Sequence, residues 1–133
     1  MIIYSHEGSD KMHIRNFWRD ILNQDAAALR GWFHPEAIIR WHCSNERFSV
    51  EEFIRANCEY PGQWDGKVER IEQIGDLIIT VTCVWSRDKS YACHAVSFIQ
   101  IKDEKIIAMD EYWGDDAPAP QWRQDMHIGT PVK

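Results

Sequence analysis

Glu111 and His94 are the side chains best suited to move a proton, and each lies within one of two consecutive strand-like runs, Tyr91 to Lys102 and Lys105 to Trp113. A carboxylate between Val96 and aromatic neighbours has its pKa raised by desolvation, which suits a general base near neutral pH. An imidazole diagonal to it would orient or share that proton. Trp41, Trp85 and Trp113, with Tyr60 and Trp64 on a turn, could wall a pocket for a flat apolar ligand or cage a quaternary ammonium group. Asn57, polar on the apolar side of a helix, either fixes a ligand or caps a sheet end.

These assignments rest on register. An even-length turn at Asp103-Glu104 pairs Phe98 with Met109, Val96 with Glu111 and His94 with Trp113. The preceding strand, Leu77 to Arg87, returns through Arg87-Asp88-Lys89-Ser90, setting Ile79 against Phe98, Val81 against Val96 and Cys83 against His94. Leu77, Ile79, Val81, Cys83 and Trp85 then share one inner face with His94, Val96, Phe98, Met109, Glu111 and Trp113. Ile78, Val84, Ile99 and Tyr112 go outside among threonines and serine, as an apolar surface for homodimerisation. A bulge in either hairpin would undo this arrangement.

The elements that position these residues are legible in turn. Ser9-Asp10 can cap a helix from Lys11 to about Gln24, with Ile14, Phe17, Trp18, Ile21 and Leu22 in one buried stripe. Asp25 caps a second, shorter helix, which ends before Pro35. Ala37 to Cys43 alternates as a strand, with Ile39, Trp41 and Cys43 inward and His42 outward. Ser49 and Glu52 form a capping box opening a helix from Val50 to about Glu59, whose apolar side carries Val50, Phe53 and Ile54. Tyr60 to Trp64 is an aromatic turn, and Lys67 to Ile74 a further strand. Gln121 to Lys133 reads as an ordered tail, since Trp122 and Ile128 would otherwise be exposed. Helices followed by hairpins give an α+β chain in which a curved antiparallel sheet, wrapped on about three N-terminal helices, forms a cone enclosing a pocket. Residues 1–133 read as a single domain.

Composition bounds the function. The 133 residues are 44% hydrophobic and 27% charged, with a net charge of −6. That balance describes a globular chain and argues against nucleic acid, which needs a basic stripe. No apolar run approaches a membrane span and no signal peptide is recognisable, which leaves the cytoplasm as the expected location. The four cysteines include no C-x-x-C pair, and the histidines form no recognisable ligand set, so neither a metal nor a cofactor is expected. Seven tryptophans exceed what a small core needs.

Three segments, FWRDILNQDAAALRGWFHPEAIIRWH, SVEEFIRAN and HAVSFIQIKDEKIIAMDEYWGDD, resemble the nuclear transport factor 2-like superfamily, in particular its polyketide-cyclase-like (SnoaL-like) branch. The resemblance implies three helices on a bent antiparallel sheet, usually dimeric through the sheet's outer face. It also implies isomerase, dehydratase, cyclase or hydrolase chemistry, or plain ligand binding. Glu111 matches the family's inward acid on the last strand, and Trp41 its pocket-lining aromatic on the first strand. The chain departs from the family's isomerases in lacking a suitable acid or tyrosine on its first two helices. It departs from the epoxide hydrolases in lacking an inward Arg-x-Asp on the strand of His94. The expected function is a small-molecule-binding domain with an aromatic-lined acidic pocket, a lyase or isomerase using Glu111 and His94, or a binding and dimeric interaction domain without turnover.

Overall fold

The computed structural model describes residues 12–133. Helix α1 (Ile14–Leu22) buries Ile14, Phe17, Trp18 and Ile21, the stripe expected from its spacing. It starts later than expected, and the Ser9-Asp10 cap lies outside the described residues. The chain reverses at Gln24, in the left-handed region at φ 53°, and Asp25 then caps the short helix α2 (Ala26–Arg30) by accepting from the Ala28 amide. Helix α3 (Val50–Cys58) opens on the complete capping box, with Ser49 accepting from the Glu52 amide and Glu52 from the Ser49 amide. Val50, Phe53 and Ile54 are buried beneath it.

The strands are β1 (Phe33–Trp41), β2 (Glu46–Phe48), β3 (Trp64–Ile74), β4 (Leu77–Ser86), β5 (Ala92–Lys102) and β6 (Lys105–Asp115). They form one curved sheet ordered β2-β1-β6-β5-β4-β3, giving the α+β architecture expected. The sheet is mixed, not purely antiparallel, because β1 runs parallel to β6. β2 was not anticipated; three residues too polar to alternate carry little pattern.

Register is where expectation and structure part. The β4–β5 pairs form as read, Cys83 opposite His94 and Val81 opposite Val96. The β5–β6 turn has its two residues, Asp103 and Glu104, at φ 52° and 65°. One step later the ladder slips: Ile101 pairs Ile106 but Gln100 pairs Ala108, so Ile107 has no partner on β5. β1 is irregular opposite the same point, between Phe33 and Ile38, where Pro35 withholds an amide from the ladder. The bulge reverses the faces of β4 and β5 relative to the expectation. Ile78, Thr80, Thr82, Val84, Cys93, Ala95, Ser97 and Ile99 are buried with Met109 and Glu111. Leu77, Ile79, Val81, Cys83, Trp85, His94, Val96 and Phe98 lie on the opposite, less buried face.

Among the described residues no helix is long and apolar enough to cross a membrane. A last short helix, α4 (Gln121–Gln124), carries Trp122, and Trp122, Met126 and Ile128 remain exposed, so the tail does not bury its apolar side chains as expected.

The junction of α1 with the sheet is tight at Gly66. A Cβ there would stand 2.7 Å from the Cys83 carbonyl oxygen and 3.1 Å from Leu22 Cδ1. Replacing Gly66 with alanine must push β3 from β4 and is expected to cost about 2 kcal/mol, measurable by urea denaturation.

Candidate functional site

Glu111 stands on the inner face of β6, 2% exposed, with Ser97 of β5 opposite on one side and Trp41 of β1 on the other. Its Oε2 accepts from Ser97 Oγ at 2.5 Å and its Oε1 from Trp41 Nε1 at 3.0 Å. Burial pushes the carboxyl pKa above its ordinary value, and Ser97, Trp41 and Trp113 pull against that rise. Trp113 Nε1 is near enough to lower the pKa, yet it is buried without a hydrogen bond of ordinary geometry.

In front of this carboxylate lies a cavity of about 360 Å³. Its inner wall is Trp18, Trp41 and Trp113, packed edge to face with ring centroids 6.5 Å apart for Trp18–Trp113 and 6.4 Å for Trp41–Trp113. Trp18 is fixed by donation from Nε1 to Thr80 Oγ1, 3.1 Å away on the sheet. A second aromatic set, Tyr60, Trp64 and Tyr91, forms the rim, with Trp64 5.5 Å from Tyr60 and 5.8 Å from Tyr91. Tyr91 donates its hydroxyl to Asp115 at 2.5 Å, which raises the phenol's pKa and holds the ring at the opening. Ile21, Leu22, Val84 and Cys93 supply the apolar remainder. Among the described residues the lining holds one charged side chain, Glu46, and no lysine or arginine.

Most of the polar groups there are committed to the frame. Asn57 donates to the Ile21 carbonyl, and Gln24 donates to the Asn57 and Tyr60 carbonyls, joining α3 and the aromatic turn to the end of α1. Their side-chain carbonyl oxygens take part in none of these bonds.

Five of the expected residues meet at this cavity: Trp41, Asn57, Tyr60, Trp64 and Trp113. Glu111 abuts it from behind Trp41 and Trp113. Two do not join. His94 is on the other face of the sheet, bonded through Nδ1 to Asp116 at 2.5 Å and through Nε2 to Glu69 at 3.1 Å. Trp85 is on that face too, with the Lys89 ammonium 5.6 Å from its ring centroid. Both were misplaced by the slip at Ile107. His42 faces outward as expected, stacked on Tyr112 at 4.6 Å and bonded to Asp110 at 2.7 Å. Sequence reasoning missed Tyr91 and Glu46, which lie in or beside turns where period-two arguments do not reach. It also missed Trp18, whose helical spacing looked like core alone.

No family model matches the chain. Endolysin 2638A of Staphylococcus phage 2638A is 23% identical over 128 residues, 96% of this chain but 23% of its own length, so the chain spans about a quarter of that relative. A candidate ketosteroid isomerase from Kribbella flavida DSM 17836 superposes at TM-score 0.75 with 16% identity, over 90% of this chain and 88% of its own. An NTF2-like protein of unknown function from Burkholderia xenovorans LB400 does so at 0.71 with 22% identity, over 89% and 92%. A protein of ketosteroid isomerase-like fold from Catenulispora acidiphila DSM 44928, in complex with trimethylamine, does so at 0.65 with 13% identity, over 74% and 83%. The fold is thus that of the nuclear transport factor 2-like proteins, with SnoaL-like cyclases among the similar structures.

The buried carboxylate makes a pH-dependent prediction. A carboxyl whose folded pKa exceeds its unfolded value binds more protons when folded, so its contribution to stability falls as pH rises from 4.5 toward the folded pKa. Glu111→Gln removes that dependence while still accepting from Trp41, and Ser97 can turn its hydroxyl to accept from the new amide. The urea-measured stability of Glu111→Gln relative to wild type is expected to improve as pH rises from 4.5 toward the folded pKa and to level off above it. Glu111→Ala strands two donors and is expected to cost about 3 kcal/mol at low pH, where the carboxyl is protonated, and less as pH rises, because the same titration is removed.

Proposed function

We propose, with the nuclear transport factor 2-like fold as premise, that this chain binds a small neutral or cationic organic molecule of apolar surface in the aromatic cavity. The observation that carries the reading is the pairing of two aromatic sets with a lining that, among the described residues, has one acid and no base. Aromatic faces attract cations, and donation from Trp41 to Glu111 makes the indole more electron-rich. An anion would find no cationic side chain among the described lining residues. The trimethylamine complex of the Catenulispora protein supports the alkylammonium class as one occupant.

Turnover is not part of this proposal. The relay expected between Glu111 and His94 would have to cross the sheet, and Glu111 meets the cavity only through the indoles of Trp41 and Trp113. The non-catalytic reading therefore stands first, with Glu111 orienting the inner wall. Titration with tetramethylammonium and with neutral tert-butanol is expected to change tryptophan fluorescence saturably, while acetate does not. Trp64→Ala is expected to weaken binding by about tenfold. Tighter binding of acetate than of either probe would sink the proposal.

The expected homodimer through the outer sheet face is proposed with a different set of residues. The face that the bulge turns outward carries Ile79, Val81, Trp85, Val96, Phe98 and Tyr112, with Phe98 36% and Tyr112 44% exposed. Light scattering is expected to give twice the 15.7 kDa chain mass, and Phe98→Glu to return the single mass. A wild-type chain of single mass at working concentration would overturn the assembly.

A further inference from the structure

On the face of the sheet away from the cavity, three adjacent strands bring together the side chains of Glu69, Cys83 and His94. Cys83 and His94 are direct partners across β4 and β5. Glu69 comes from the next strand over, at a second bulge: Val68 pairs Thr82 and Arg70 pairs Val81, which leaves Glu69 without a partner on β4. Released from the ladder, Glu69 reaches past β4 to place Oε1 3.1 Å from His94 Nε2. One ligand atom from each of the three lies within 4.8 Å of the other two.

We propose that Glu69, Cys83 and His94 form a binding site for a divalent transition-metal ion of the zinc class. The donor set is thiolate, imidazole and carboxylate, the mixture that zinc and cobalt accept in a tetrahedral shell with one position left for water or a further ligand. The surroundings are those that a metal-bound histidine has. Nδ1 of His94 is 2.5 Å from Asp116 Oδ1, a carboxylate that fixes the ring and leaves Nε2 as the coordinating atom. Lys133 holds the other oxygen of Glu69, Oε2, at 2.7 Å, so that Oε1 stays directed at the imidazole. Carboxylates thus stand at both ring nitrogens, Asp116 at Nδ1 and Glu69 at Nε2, with the Lys133 ammonium on the far oxygen of Glu69. Coordination would release the Cys83 proton and any proton shared between His94 and Glu69. The site depends on neither the cavity nor its ligand, since no side chain of it is among the cavity lining.

The test uses the full chain, reduced and stripped with chelator, and titrated with cobalt(II) and then zinc(II). One equivalent of cobalt is expected to produce a sulfur-to-metal charge-transfer band together with the visible bands of tetrahedral cobalt, and zinc to displace it. Cys83→Ser should abolish the charge-transfer band. His94→Gln should weaken affinity by at least about tenfold. Cys43→Ser, which removes an exposed thiol on another part of the chain, should leave both unchanged. Zinc should also protect Cys83 from alkylation in the wild type, a measurement that needs no variant to fold. Absence of stoichiometric cobalt binding, or a charge-transfer band that survives Cys83→Ser in a variant of unchanged circular dichroism, would overturn the site.

Discussion

A single residue without a partner on β5, Ile107, decides which side of β4 and β5 looks inward. Between it and the irregular stretch of β1 around Pro35, the sheet changes phase before it reaches Met109 and Glu111. The consequence is an inner face with small side chains, Thr80, Thr82, Ala95 and Ser97, between Ile78, Ile99 and Val84, and an outer face that carries Trp85, Phe98 and Tyr112. The volume that small residues leave unfilled is taken by Trp18 reaching down from α1, and what remains is the cavity.

The second dependence is electrostatic. A carboxylate as buried as Glu111 would be intolerable alone, and the fold supplies direct donors from Ser97 and Trp41. Those bonds act in both directions. They moderate the rise in the carboxyl pKa, and they fix the indole of Trp41 and the hydroxyl of Ser97 in orientations that a purely apolar floor would leave to packing. Thr82 Oγ1, beside the same row of residues, is buried without a partner among the described residues, as is Trp113 Nε1. A polar seam thus runs beneath an aromatic wall.

Local chemistry was legible in the sequence where a specific side chain meets a specific backbone group: the Asp25 cap, the Ser49–Glu52 box, the two-residue turn at Asp103-Glu104. The inward placement of Glu111 and Trp41 was legible too. The faces of β4 and β5 were not, because both rows of those strands carry apolar side chains. Choosing the more hydrophobic row sent Leu77, Ile79 and Val81 inside, when the buried row is Ile78, Thr80 and Thr82. Glu111 was expected opposite Val96 and is opposite Ser97, so its facing survived while its partner changed. Bulges at Ile107 and Glu69 are one-residue events with no composition of their own, and the parallel β1–β6 pairing joins segments too far apart for periodicity to relate.

That parallel pairing has a kinetic meaning. The hairpins β3 to β6 are contiguous in the chain and can zip in sequence, each turn bringing the next strand alongside. β1 cannot join until a loop of much of the domain has closed, for Trp41 and Glu111 are separated by 70 positions. Without β1, one edge of β6 would have no neighbour and Glu111 would lack its Trp41 donor. The contact that closes this edge is therefore also the one that brings Trp41 to the Glu111 carboxyl, and burial there favours the protonated form.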